Sequence, residues 1–326
     1  MKKFQVQKYH SKHTALWNEF VAKSKNATFL FHRDFMEYHQ DRFQDFSLLV
    51  FDENQQLIAV LPANKVEETL FSHQGLTYGG ILLLEKTKLS EVIFILKSIF
   101  EYLNALGFKK LIFKEIPTIY NQIPSGELKY LMFLMQGNLT RRDVLSVVDL
   151  KSSFTFSRDR KNGVKRGIKH NLVVKEESNF DSFWNEILIP NLAQKHQVKP
   201  VHSLEEIQYL HNKFPKNIRQ FNVYQNDTIV AGTTIFETDL VAHSQYISGN
   251  SDKNELGSLD FLHDYLISNV FKNKNYFDFG ISNENQGRNI NEGLLYWKES
   301  FGARSITQDF YEVEIKNYTL LDNVLL

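Results

Sequence analysis

Tyr276-Phe277-Asp278-Phe279-Gly280-Ile281-Ser282 is a short apolar run that reads as a buried strand ending at a glycine. Asn283-Glu284-Asn285 follows as a polar loop. Then Asn291-Glu292-Gly293-Leu294-Leu295-Tyr296-Trp297-Lys298-Glu299-Ser300-Phe301-Gly302 has the spacing of a helix with a glycine stop. In an α/β fold, ligands sit where strand ends meet helix starts. This junction carries Asp278, Ser282, Glu284, Asn285 and Asn291 within fourteen residues, more polar groups than a purely structural connection needs, and Lys298 follows two turns into the helix.

Upstream of that junction, the pattern predicts helix over 258–271, strands over 240–248 and 228–237, and a hairpin to 218–224 around Asn226-Asp227. Ser203 and Glu206 form a capping box for a helix over 204–214, with Pro215 beyond it. A last strand is expected over 306–315. In the first half, Thr14 is read as the cap of a helix with Leu16, Trp17, Phe20 and Val21 on one face. A short helix follows over 34–43, then strands over 47–51 and 56–62 and an extended piece over 70–80. Ser90 is read as the cap of a helix over 91–106 stopped by Gly107, and 110–114 is a strand. Residues 117–137 are ambiguous. The halves echo one another: Ser72-His73 and Tyr78-Gly79-Gly80 stand where Ala242-His243 and Tyr246-Ile247-Ser248-Gly249 stand. That echo suggests two copies of one α/β unit, divided near 150–156. A single large mixed sheet is the alternative.

The 326 residues suggest about two domains at roughly 150 residues each. Apolar content of 42% and charged content of 23% fit a soluble globular protein, with aromatic-rich cores from 27 Phe. The 38 basic and 38 acidic residues balance, so any polyanion site is a local patch and no DNA partner is expected. The absence of Cys excludes disulfides, thiolate nucleophiles and Cys-ligated zinc. The eleven His show no His-Glu-x-x-His spacing, and no metal is expected. Met1-Lys2-Lys3-Phe4-Gln5 opens no apolar leader, no stretch reaches a membrane span, and a cytoplasmic location is expected.

The order of meander, helix, strand, helix, strand resembles the GNAT acyltransferase unit. At Phe277-Asp278-Phe279-Gly280 and Trp297-Lys298-Glu299-Ser300-Phe301-Gly302 the chain also resembles the FemABX-like transferases, which carry two such units in tandem. The resemblance is specific over 256–311 and thinner over the N-terminal half. It implies an α/β (α+β) fold of two tandem GNAT-like domains, 1–152 on the acceptor side and 153–326 on the donor side. Each would be a mostly antiparallel mixed sheet flanked by helices. It implies transfer of an acyl or aminoacyl group to an amine of a cell-envelope or polysaccharide precursor, such as a nucleotide-sugar or a peptide. The cosubstrate would be an acyl-CoA or, alternatively, an aminoacyl-tRNA, with no cofactor bound permanently. A non-catalytic module that reads a glycan precursor is the alternative of another class.

By the resemblance, Lys298 lies near the reacting ester and stabilises its negative charge; otherwise it is a surface lysine at a helix C-terminus. Asp278 is a second catalytic candidate, or simply the cap of the loop after its strand. Glu284 and Asn285 are read as substrate-binding, and Asn291 as substrate-binding or the helix cap. In a GNAT enzyme the loop before the helix at Ser258 grips the donor's pyrophosphate. Asn254-Glu255-Leu256-Gly257-Ser258-Leu259 keeps Gly257 but has Leu259 where a small residue is expected. Gly257 and Ser258 remain the donor-loop candidates. Six Lys/Arg fall in the stretch from Arg158 to His170, and Arg160, Lys165 and Arg166 are the candidates for donor phosphates; a solvated helix face is the alternative. In the first half, His73, Tyr78, Gly79 and Gly80 are read as acceptor-binding, with Tyr78 stacking on a flat group. A β-bulge with its glycines is the alternative. The family's Arg-Gly-Pro type sequence is here Tyr-Gly-Gly. His73 and His243 each read as a general base or as a satisfied, partly buried histidine.

Overall fold

The computed structural model describes residues 4–326; Met1, Lys2 and Lys3, which open the segment read above as lacking a leader, lie outside the described residues. The chain divides into two compact units, residues 1–143 with 307–326, and residues 144–306. Among the described residues no helix is long and apolar enough to cross a membrane.

The first unit begins with β1 (Gln5–Lys8), α1 (Thr14–Lys23) and the short α2 (Arg33–Met36). Five strands follow: β2 (Leu48–Phe51), β3 (Leu57–Leu61), β4 (Asn64–Val66), β5 (Thr69–Phe71) and β6 (Leu82–Leu83). Then come α3 (Leu89–Ala105), β7 (Lys110–Lys114), α4 (Glu127–Leu134) and β8 (Asn138–Asp149). One antiparallel sheet has the order β1-β2-β3-β6. The hairpin β4-β5 joins a second sheet, with β5 parallel to β7 and β7 antiparallel to residues 310–314. The break between the two sheets falls at Pro62, which has no N–H to carry β3 onward. Val92, Ile95, Leu96, Ile99, Phe100 and Leu103 of α3 recur at helical spacing, and this apolar face shares one core with Leu48, Val50, Leu111 and Phe113. Ser90 lies inside α3, with Lys88 at the cap position, while Gly107 ends the helix at φ +85°. Thr14 does not cap α1: it is the first helical residue and its hydroxyl donates to the Ser11 carbonyl, and Leu16 is exposed. The ambiguous stretch resolves into a 3-10 turn, Thr118–Tyr120, and α4.

The second unit takes residues 144–149 of β8, then α5 (Arg158–Lys169), β9 (Leu172–Glu177) and α6 (Ile189–His196), which a π-helical turn at Phe183–Leu188 leads into. Next are α7 (Leu204–Lys213), β10 (Ile218–Gln225), β11 (Thr228–Glu237), β12 (Val241–Gly249), α8 (Lys253–Leu256) and α9 (Ser258–Tyr265). The unit closes with β13 (Tyr276–Ile281), β14 (Asn283–Glu284), β15 (Asn289–Ile290), α10 (Glu292–Glu299) and the start of β16 (Arg304–Glu314). β9, β10, β11 and β12 form an antiparallel meander, β13 is parallel to β12, and β8 is antiparallel to β13. The capping box at Ser203 and Glu206 is formed in both directions. Phe221, Val223, Leu262, Phe271, Phe277 and Phe301 belong to the core of this unit.

Candidate functional site

β12 and β13 pair over three rungs, the last being His243 with Asp278. β12 runs on to Gly249 and β13 to Ile281, so the two parallel strands part beyond that rung. Gly280 stands just past the fork at φ +69°, a backbone conformation that glycine adopts without steric cost. Three polar side chains converge on it. Asp278 is fully buried, and its Oδ1 accepts the Gly280 N–H at 2.7 Å. Asp278 Oδ2 lies 3.0 Å from His243 Nδ1. From α10, Lys298 Nζ donates to the carbonyls of Gly280 at 3.1 Å and Ile281 at 2.6 Å. Lys298 is only 3% exposed. Burial lowers its pKa to about 8, with the Asp278 charge pulling the other way.

A cleft of about 720 Å³ opens in the same unit. Ile247 and Ser248 of β12 line it beyond the fork, as do Leu294, Tyr296 and Trp297 of α10 and Leu259 and Asp260 of α9. Arg160 and Arg166 of α5 line it too. Asp260 organises this wall: its Oδ1 pairs with Arg160 and accepts the Trp297 indole N–H at 3.1 Å, and Oδ2 lies 4.0 Å from Arg166 Nη2. Burial raises the Asp260 pKa, and the Arg160 charge opposes that rise. The Nε atoms of Arg160 and Arg166 are buried without a hydrogen-bond partner. Asn291 caps α10, its Oδ1 accepting the Leu294 N–H at 3.0 Å while its Nδ2 donates to Glu284 at 3.2 Å. Glu284 and Asn291 both border the cleft.

The cleft therefore gathers Arg160, Arg166, Glu284 and Asn291, whereas Lys298 and Asp278 meet at the fork and are not part of its lining. Asn285, at φ +47°, sits at the tip of the β14–β15 hairpin and donates to Asn289 at 2.8 Å. Lys165 is exposed on α5 outside the lining. The donor-loop candidates Gly257 and Ser258 lie beneath α5. A Cβ on Gly257 would lie 2.1 Å from the Gly163 carbonyl oxygen, and Ser258 is fully buried, so α5 covers the turn. Asp260 and Trp297 were not singled out by sequence reasoning. Their signal was available: an acid in the first turn after Gly257, and an indole next to Lys298.

The first-unit candidates do not share one site. Tyr78 is 2% exposed, packs on Phe31 and Tyr120, and donates to Thr28 at 3.0 Å, so it is a core residue and not a stacking platform. Gly79 is closed in by the Ser72 carbonyl oxygen, 1.8 Å from where its Cβ would stand, and its N–H donates to the Lys114 carbonyl. Gly79 and Gly80, the latter at φ +122°, border a recess with Glu115 and Lys129. His73, at φ +68°, borders a different cleft of about 270 Å³ with Arg33, Glu37 and Asp45. Its ring stacks on His39, and burial, then the His39 charge, lowers its pKa to about 3.

No protein-family model matches the chain, and no curated protein sequence matches it. Solved structures do. FemX superposes with a TM-score of 0.68 over 98% of this chain and 99% of its own, at 9% identity. The C-terminal domain of a putative lysylphosphatidylglycerol synthetase from Agrobacterium fabrum gives 0.58 over 93% and 91%, at 11% identity. The L-PGS structure from Bacillus licheniformis gives 0.58 over 96% and 94%, at 12% identity. At such identities the likeness is one of fold: the chain has the FemX fold, built of two compact α/β units.

Proposed function

We propose that the chain is a transferase that moves an acyl or aminoacyl group from an activated donor to an amino group of a cell-envelope or polysaccharide precursor. The observation that carries this reading is Lys298. Its ammonium is withdrawn from water and fixed by two backbone carbonyls at the point where β12 and β13 part. Attack of an amine on an ester or thioester builds negative charge on the carbonyl oxygen. A preorganised cation in a dry site stabilises that charge without reorganising. Asp278 and the left-handed Gly280 turn keep the ammonium in register. The donor lies in the cleft against Arg160 and Arg166, whose positive charge suits an anionic portion of it. Both an acyl-CoA and an aminoacyl-tRNA carry such a portion. The covered turn at Gly257 favours the tRNA, because a CoA pyrophosphate would have to be held elsewhere than in the usual loop. Of the residues read as substrate-binding, Glu284 and Asn291 border this cleft and are assigned to the acceptor, and Lys165 is assigned to steering the donor.

Isothermal titration with CoA and with deacylated tRNA, followed by transfer assays with the donor that binds, tests the reading. Lys298→Ala is expected to lower kcat by about 10²–10³ while donor affinity is kept. Transfer at an undiminished rate by this variant would remove the lysine from the chemistry.

A further inference from the structure

His243 stands on the last rung shared by β12 and β13, opposite Asp278. Both oxygens of Asp278 are engaged, Oδ1 by the Gly280 N–H at 2.7 Å and Oδ2 by His243 Nδ1 at 3.0 Å. A fully buried carboxylate facing a ring nitrogen fixes the tautomer: Nδ1 carries the proton and donates it, and Nε2 keeps its lone pair. Nε2 has no hydrogen-bond partner among the described residues, and the side chain retains 13% of its exposure. Gly280 guards that openness. A Cβ there would stand 3.2 Å from His243 Cε1, the carbon bonded to both ring nitrogens. Lys298, by holding the Gly280 carbonyl, fixes the same turn from the other side. A histidine that merely tied two strands together would need Asp278 but not an uncovered Nε2.

We propose that His243 accepts the proton of the attacking amine and that Asp278 is its positioning residue. This rests on the transfer reading above. The nitrogen lone pair of the neutral amine attacks the acyl carbonyl carbon and forms the new C–N bond. The bond from that carbon to the donor's sulfur or oxygen breaks, and the leaving atom takes its electron pair. The surplus proton on nitrogen passes to His243 Nε2, giving an imidazolium that Asp278 holds through Nδ1. The imidazolium then returns the proton to the leaving thiolate or alkoxide, which restores the starting state.

Diethyl pyrocarbonate acylates an accessible neutral histidine nitrogen, so it probes Nε2 without any cosubstrate. Peptide mapping of the folded protein should find His243 modified well ahead of the enclosed His263. Asp278→Asn should slow that modification about tenfold or more, because the fixed tautomer is lost. In the transfer assay, His243→Gln should lower kcat about 10²-fold with KM and thermal midpoint little changed. An unreactive His243, a rate indifferent to Asp278→Asn, or full turnover by His243→Gln overturns the proposal. Asp278-dependent reactivity without transfer from either donor refutes the transfer reading instead. Transfer with an unreactive His243 removes only the proton acceptor.

Discussion

His263 is enclosed by Phe277, Phe279, Trp297 and Phe301, with ring centroids 5.1 to 6.0 Å away. Its Nδ1 donates to the Leu259 carbonyl at 2.8 Å, and its Nε2 is buried with no partner. Burial lowers its pKa from 6.5 to about 4, so the folded state holds it neutral. The unfolded chain binds its proton first as pH falls, and stability is therefore lost on acidification. We expect the loss to start near pH 6.5 and run to about pH 4. Its slope should be about 1.4 kcal/mol per pH unit, about 3 kcal/mol in all. Urea midpoints measured across that range should fall less steeply in His263→Leu, with His73 supplying a similar slope in the first unit. Equal slopes in both proteins would show that His263 is not the titrating group. Lys298 carries a second pH signature. A role that needs its charge predicts that kcat falls as pH rises through about 8, where the ammonium loses its proton. A rate that stays flat above that pH would mean that its contribution is geometric. Lys298, Asp278 and Asn291 were legible because they stand in one local strand–loop–helix pattern. The partnership of Asp278 with His243 was not, because it depends on the register of a parallel pair 35 residues apart in sequence.

At the scale of elements, the helix α5 explains why the turn at Gly257 is covered. Gly163 and Gly167 lie one helical turn apart and form the seam that packs on α9. A Cβ on Gly167 would lie 2.6 Å from Phe261 Cβ, and one on Gly163 would meet the Asp260 carboxylate. Helix propensity alone predicts that Gly167→Ala stabilises by about 1 kcal/mol. The seam reverses the sign: Phe261 Cβ is anchored to its backbone, so the two helices must separate, at a cost of about 1–3 kcal/mol. A lower thermal midpoint for Gly167→Ala, and weaker donor binding as Asp260 and Arg160 shift, would agree with this. A raised midpoint would show that the seam has slack. The basic residues of α5 dominated its reading as a sequence, yet the two glycines decide where the helix lies. Arg160 and Arg166 then face the cleft, and Lys165 is left to solvent. Capping boxes, hairpins and glycine stops were legible because each is settled within a few residues. β8 and β9 were not named from the sequence, since charged residues break up their apolar patterns, and α6 was not because a proline stands in its first turn.

At the scale of the whole chain, the last twenty residues matter more than their position suggests. Residues 307–326 group with the first unit. Within it, residues 310–314 pair with β7, and Val313, Ile315 and Leu321 are buried in its core. Asp309 is fully buried between Arg142 and Lys129. Further along, Asn317 donates to the Met135 carbonyl at 2.8 Å, and Lys97 pairs with Asp322 at 2.5 Å. A cut of the sequence into two consecutive halves has no means of assigning this segment to the first unit, because strand pairing over some 200 residues leaves no local pattern. The consequence is measurable. Removing residues 315–326 takes Ile315 and Leu321 out of the first core, and each buried aliphatic side chain lost there costs about 2–5 kcal/mol. Against a typical domain stability of about 5–15 kcal/mol, that is enough to unfold much of the first unit. Limited trypsin digestion of the truncated protein should cut first within residues 4–143, which lost their support. The second unit, which contains none of the deleted residues, should resist cleavage longer. An unchanged digestion pattern and thermal midpoint would mean that the first core closes without its C-terminal segment.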